Sequence, residues 1–196
     1  MARWPVPLRC KSRLAAGLGP QRAARVQQRL LQHGLGVMAL AAQRQGIALR
    51  LAMAGVGPRA ALREARRLGL GDVALQGQGC LGVRLQRQFG RAFATGHQQV
   101  VLVGSDLPQL APADLVGAFA ALERHPLVLG PAVDGGYWLI GLRRPAPPLF
   151  CGVAWGGEQV LAQTLSRAEG MGLDWALLRQ QADLDRPGDL LPWRCL

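Results

Sequence analysis

The chain alternates between two spacings of apolar residues. Over 23–40 they recur at Val26, Leu30, Leu31 and Leu35, a period that predicts an amphipathic helix. The compact apolar run 47–53 predicts a strand, halted near Gly55 and Gly57. Pro58 suits the first turn of a helix reaching about Leu68. The alternation then repeats: a short strand at 72–75, a helix at 81–94 with Leu81, Leu85, Phe89 and Phe93 on one side, a buried strand at 100–103, and a helix from Pro112 to about Arg124 with Asp114 in its first turn. The runs 127–129 and 137–142 predict two more strands flanking Pro-Ala-Val-Asp-Gly-Gly. A Pro-rich loop at 144–149 leads to a helix over about 157–169, and 173–178 reads as a last strand. Strands alternating with helices predict an α/β fold, three-layered around a mostly parallel sheet, in a single domain over 1–196.

Charge changes this picture little. The formal net charge is +11 and the pI about 11.4, which invites a nucleic-acid reading. The basic residues are arginines scattered through Ala-, Leu- and Gly-rich helices, however, and Lys11 is the only lysine. No basic run or aromatic–basic interleaving accompanies them, so a specific nucleic-acid partner is not expected, while attraction to small phosphorylated anions is. No apolar run reaches the length of a membrane span, and the N-terminus lacks the apolar core of a secretory signal, so the expectation is a cytoplasmic protein. Cys10, Cys80, Cys151 and Cys195 have neither metal-binding nor disulfide-framework spacing and read as free thiols.

Four clusters could carry chemistry. Lys11-Ser12-Arg13-Leu14, ahead of Gly17 and Gly19, offers two cations in a Gly-containing loop before a helix, able to surround a phosphate; the alternative is an ordinary basic loop. Gly104-Ser105-Asp106-Leu107-Pro108 puts a carboxylate at the end of a buried strand, where open α/β sheets bind ligands and where Mg2+ or Mn2+ finds a hard oxygen ligand. A helix-capping role fits Asp106 poorly, because the next helix opens only at Pro112. Asp134-Gly135-Gly136-Tyr137-Trp138 could bind a substrate hydroxyl or supply a base, but taken alone it reads better as an Asp-Gly hairpin turn. Asp183 and Asp185 alternate on an extended segment and could share a cation, while Asp189 suits the first turn of a terminal helix.

Taken together, PVPxxxKSRL, QGxGxLGxRL, VVLVGSDLP, LGPAxDGGYWLIGL, WGxxxVLxxTL and DLDRPGDL resemble a bacterial family of GT-A-fold glycosyltransferase candidates. Its members were long grouped as a domain of unknown function, and some are labelled arsenosugar-biosynthesis glycosyltransferases. They are related to phospholactate guanylyltransferase and the molybdenum-cofactor nucleotidyltransferases. The resemblance runs from Pro5 to Leu190 and implies a GT-A (nucleotide-diphospho-sugar transferase, Rossmann-like) fold. It also implies a nucleotide or nucleotide-sugar donor, a small-molecule acceptor, and Mg2+ or Mn2+ as cofactor. By match, Lys11, Arg13 and Ser105 fall on nucleotide- and phosphate-binding positions, and Asp106, Asp185 and Asp183 on metal positions. Asp134, Gly135, Gly136 and Tyr137 fall on the acceptor-side loop. Lys11, Arg13 and Asp134 would be catalytic.

Departures from the family pattern accompany the match. Most of the first apolar strand is missing ahead of ARWPVPLRCKSRL, so exposed backbone on its sheet neighbours is expected. Leu8 stands at a usual glycine, where its β-carbon would obstruct close approach of a nucleotide. Cys80 and Val83 replace acidic residues, Gly157 replaces a threonine, and Ala111 replaces a helix-capping threonine at a cost of about 1 kcal/mol. The expected activity is metal-dependent glycosyl transfer from a nucleoside-diphosphate sugar. The alternatives are nucleotidyl transfer with pyrophosphate release and a degenerate, non-catalytic nucleotide-binding protein. Oligomeric state is not readable from the sequence.

Overall fold

The computed structural model describes residues 1–193, so Cys195 lies outside the described residues. The chain forms two compact units. One comprises Met1–Leu75, Gly104–Leu110 and the segment from Asp183, and the other Gln76–Val103 and Ala111–Ala182.

In the first unit, β1 (Ala2–Arg3), β2 (Leu51–Ala54) and β3 (Val73–Leu75) form a parallel sheet in that order. Helix α1 (Ser12–Leu18) is separated from α2 (Pro20–Gln45) by Gly19 at φ +78°, and α3 is Pro58–Arg67. Pro20 and Pro58 open their helices, where a missing N–H removes no hydrogen bond. Helix α2 outruns the predicted 23–40 at both ends and stops at Gly46, whose φ of +66° few other residues tolerate. It buries Ala23, Ala24, Gln27, Leu30, Leu31, Gly34 and Leu35, a stripe at helical spacing. Leu31 and Leu35 pack with Ala2, Leu51, Met53 and Ala61 in one cluster, and Leu14, Ala23, Leu30 and Leu184 form another.

β1 is two residues long. Ala2 and Arg3 stand opposite Met53 and Ala54, and the Trp4 N–H donates to the Ala54 carbonyl at 2.9 Å. Those backbone groups of β2 are therefore partly paired rather than bare.

The second unit contains α4 (Leu81–Ala94), β4 (Val100–Val103), α5 (Pro112–Arg124), β5 (Leu127–Pro131), β6 (Tyr137–Leu142), α6 (Val160–Gly170) and β7 (Trp175–Leu177). Its sheet runs β4-β6-β5-β7; β5 and β7 are parallel, and β6 is antiparallel to both its neighbours. β6 lies inside this sheet and is buried from Trp138 to Leu142, which accounts for an apolar run without alternation. Leu122, Leu127, Leu129, Leu139, Ile140 and Leu142 are buried to within about 1%, and Phe89 stacks on Phe93 and Phe150. Among the described residues three strand pairings are parallel and two antiparallel, so the α/β architecture expected from the sequence holds with β6 reversed.

Helix α5 begins on Ala111, which has no side chain to cap it. The Asp114 carboxylate reaches back instead and accepts the Ala111 N–H at 2.8 Å, one half of a capping box. Asp114 also takes both arms of Arg179, at 2.6 and 2.7 Å, and the Gln181 amide at 3.1 Å. Burial alone would raise its pKa, but Arg179 and the Ala111 and Gln181 donors hold the carboxyl below its ordinary value. Asp114 is thus a buried joint fastening α5 to the segment after β7.

Candidate functional site

The segment from Pro5 to Lys11 is a tight loop. Arg9 N–H donates to the Val6 carbonyl at 3.1 Å, and the Cys10 thiol to the same carbonyl at 3.3 Å. Two non-glycine residues in it take left-handed backbone, Leu8 at φ +68° and Lys11 at φ +49°. Leu8 therefore keeps the conformation that glycine adopts without strain, and its side chain is 85% exposed. Strain at two positions three residues apart persists only where surrounding contacts impose it. At Lys11 those contacts are visible.

The Lys11 side chain is 2% exposed. Its ammonium donates to the Leu184 carbonyl at 2.5 Å and to Asp106 Oδ2 at 2.9 Å, and Asp185 Oδ1 lies 3.9 Å away. Arg13, on the first turn of α1 and mostly in water, donates from Nη1 to Asp185 Oδ2 at 2.9 Å. Three chain segments distant in sequence thus meet at one cation. Each is placed by ordinary folding forces. The Leu184 side chain is buried against Leu14 and Leu30, its N–H donates to the Asp106 carbonyl at 2.9 Å, and Asp189 accepts the N–H groups of Asp185 and Arg186 at 2.9 and 2.7 Å. Asp189 accordingly sits in the first turn of a terminal 3-10 helix, as the sequence suggested.

Asp106 is oriented from its other side. Gln27, buried on α2, donates its amide to Asp106 Oδ1 at 3.1 Å and to the Ser105 hydroxyl oxygen at 3.2 Å, and Ser105 in turn donates to Asp106 Oδ1 at 3.1 Å. Oδ1 is thereby engaged, and Oδ2 is turned towards the ammonium. Gln27 was not singled out from the sequence, where a glutamine between two arginine-rich turns looks solvated. The signal that could have found it is its phase, on the same stripe as Ala23, Leu30, Leu31 and Gly34.

The carboxylates of Asp106 and Asp185 remain 38% and 36% exposed while sharing one cation. Their hard oxygen donors are of the type that Mg2+ or Mn2+ takes, and here they face the Lys11 ammonium. Asp183, half-buried, precedes the buried Leu184. Among the described residues no three His, Cys, Asp or Glu side chains are arranged to hold a metal by themselves. An ion here would complete its shell from water and phosphate oxygens, the usual habit of Mg2+.

Asp134, Gly135, Gly136 and Tyr137 belong to the second unit, in the connection between β5 and β6. Asp134 is exposed, and its Oδ1 accepts the Gly136 N–H at 2.9 Å. Gly135 adopts φ +86°, and a β-carbon there would strike the Glu158 backbone carbonyl. The Gly135 carbonyl accepts the Leu161 N–H of α6 at 2.9 Å. These are the contacts of a built turn. The Tyr137 ring meets Trp155 edge-on at 6.4 Å, and its hydroxyl is buried beside Thr164 without a well-formed hydrogen bond, so burial pushes its pKa well up. Thr164 itself donates to the Val160 carbonyl at 2.8 Å. Cys10, Cys80 and Cys151 are free thiols, and no described helix is long and apolar enough to cross a membrane.

The chain is similar to a "putative nucleotide-diphospho-sugar transferase" from Desulfovibrio desulfuricans G20, whose crystal structure superposes with a TM-score of 0.87 at 28% identity, covering 99% of this chain and 84% of that one. Two more distant structures share the fold. CMP:2-keto-3-deoxy-manno-octonic acid synthetase, complexed with CTP, has a TM-score of 0.58 at 14% identity, covering 99% and 94% of the two chains. The inositol-1-phosphate CTP transferase of T. maritima has a TM-score of 0.54 at 14% identity, covering 92% and 87%. No curated protein sequence matches. A family profile described as an uncharacterised protein conserved in bacteria, DUF2064, matches residues 37–157, more than half of the chain, and the chain therefore belongs to the DUF2064 family.

Proposed function

We propose that this protein transfers a sugar from a nucleoside-diphosphate-sugar donor to a small acceptor with the help of Mg2+ or Mn2+. The observation that carries the reading is the cluster of Lys11, Arg13, Asp106 and Asp185, in which two cations and two partly exposed carboxylates converge on one place. Likeness along nearly the whole chain to the Desulfovibrio protein supports the same reading.

Breaking a sugar–diphosphate bond leaves negative charge on phosphate oxygens, and fixed positive charge near those oxygens lowers the barrier. Lys11 and Arg13 are the groups of this chain that would bind the diphosphate. Asp106 and Asp185 would hold the divalent ion, with Asp183, two positions before Asp185 in sequence, as a further candidate ligand; the ion would supply further neutralisation of the leaving diphosphate. Gln27 and Ser105 orient Asp106 for that task. Asp134 is assigned to the acceptor side, as the exposed carboxylate of a rigid turn. Gly135 and Gly136 shape that turn, and Tyr137 anchors it in the second unit.

The test is incubation of the full chain with UDP- and GDP-sugars and Mn2+, with calorimetric titration of the same ligands and mass spectrometry of the products. Donor binding and release of a nucleoside diphosphate are expected. Release of pyrophosphate from a nucleoside triphosphate would replace this reading with nucleotidyl transfer. Absence of donor binding and of turnover would leave a non-catalytic protein.

A further inference from the structure

We propose that the Lys11 ammonium is a built-in competitor for the divalent cation. It occupies the Asp106–Asp185 carboxylate pair of the resting protein, and a metal ion enters only by displacing it. The inference rests on the transferase reading in taking this pair as the cation site.

The geometry supplies the reason. Lys11 Nζ lies 2.9 Å from Asp106 Oδ2, the oxygen left over once Gln27 and Ser105 have engaged Oδ1. A metal ligated by Oδ2 would need the space the ammonium fills, and two cations sharing one carboxylate oxygen repel at close quarters. Among these four side chains the charge is balanced: Lys11 and Arg13 carry two positive charges, Asp106 and Asp185 two negative ones. With the Lys11 side chain 2% exposed and hydrogen-bonded to the Leu184 carbonyl, the ammonium is held by the protein and does not merely drift near the acids.

The residue type suits exchange. An ammonium on a flexible four-carbon stem is a point charge that can change partner by rotating its own torsions, whereas a guanidinium fork is bound to one geometry. The left-handed backbone at Lys11, φ +49°, is sustained by contacts that exchange would remove. A diphosphate offers the ammonium a new anionic partner, so donor and metal should each raise the other's affinity by the same factor. The device would keep the empty protein from sequestering metal.

Two measurements on the full chain test this without any donor. In the first, Mn2+ is titrated into wild-type and Lys11→Met protein while the electron paramagnetic resonance signal of free Mn2+ is followed. Lys11→Met is expected to bind Mn2+ at least tenfold more tightly than wild type, and adding Asp106→Asn should abolish the gain. The second needs no variant. Lys11 is the only lysine, so its acylation by an amine-reactive ester, read by peptide mass spectrometry, reports on this one side chain. Saturating Mn2+ should accelerate that labelling at least fivefold, with Mg2+ acting in the same direction. Unchanged or weaker Mn2+ affinity in folded Lys11→Met protein, or unchanged labelling of wild type at saturating Mn2+, overturns the proposal. Protein that passes both yet binds no nucleoside-diphosphate sugar would keep this inference and lose the transferase reading.

Discussion

Two cation–carboxylate clusters in this molecule are built in opposite ways. In the joint at the start of α5, the acid is inside and the base outside: Asp114 is 6% exposed, Arg179 47%. In the Lys11 cluster the base is inside and the acids reach water. The first arrangement is closed, because Arg179 grips Asp114 through two parallel bonds and the Ala111 N–H and the Gln181 amide take up more of its lone-pair capacity. The second is open, because Asp106 and Asp185 share one ammonium and keep a face towards solvent. A buried fork-gripped acid holds chain segments together. Exposed acids around a movable point charge can exchange it for a ligand.

Substitutions can break that comparison, and the largest effect should come from the open cluster. Asp106→Asn keeps the shape but removes the charge that pairs with Lys11 or a metal. Turnover is expected to fall about 100-fold or more, close to 3 kcal/mol of barrier, with some loss of thermal stability because the buried Lys11 ammonium loses its nearest carboxylate. A comparable loss from Asp114→Asn, without destabilisation, would show that the two clusters had been assigned the wrong roles.

The next effect is on stability. Asp114→Ala leaves Arg179 and the Ala111 N–H without their acceptor and should cost about 2–3 kcal/mol in chemical denaturation. Donor and Mn2+ affinity measured on the folded fraction should be unchanged. Acid should act on the same joint. The Asp114 pKa is lowered by folding, so its contribution is fully present above the unfolded carboxyl value of about 3.9 and is lost as pH falls through the folded value below it. The stability gap between wild type and Asp114→Asn should therefore be constant at neutral pH and shrink in denaturation curves taken below about pH 4. A gap that persisted there would mean that the Arg179 pairing does not depress the pKa.

The smallest effect lies in the loop that carries Lys11. Leu8→Gly relieves a left-handed φ at an exposed position and should stabilise the protein by about 1 kcal/mol, visible as an upward shift in melting temperature. If it destabilised instead, the Leu8 side chain would have to be holding the loop by contacts its exposure does not suggest.

The alternation of periods was enough to give the α/β class, and every expected strand and helix from residue 58 to 142 is present within about two residues of its sequence bounds. It missed α1, because Gly17 and Gly19 read as loop, whereas Gly17 lies inside the helix with Pro187 packed against it. It could not give the direction of β6, since a buried apolar run has the same pattern in either sense; pairing with β4 and β5 decides it. At the site, Lys11, Arg13, Asp106 and Asp185 were legible as charges in unusual places, and Asp134 as a turn. Gln27 was not: its phase on the apolar stripe marks it as buried, but nothing local names Asp106 as the partner it orients.

The sequence by itself determined which residues carry charge, where elements start and stop, and which family the chain resembles, because those depend on local composition and spacing. Only the tertiary structure decided that the lysine expected to await a phosphate is already bonded to the aspartate expected to await a metal. Lys11 and Asp106 are 95 positions apart, and no spacing rule reaches across that distance. Burial of Leu184 beneath α1 and α2 and the grip of Gln27 on Asp106 bring the two charges to 2.9 Å, where their attraction is strongest.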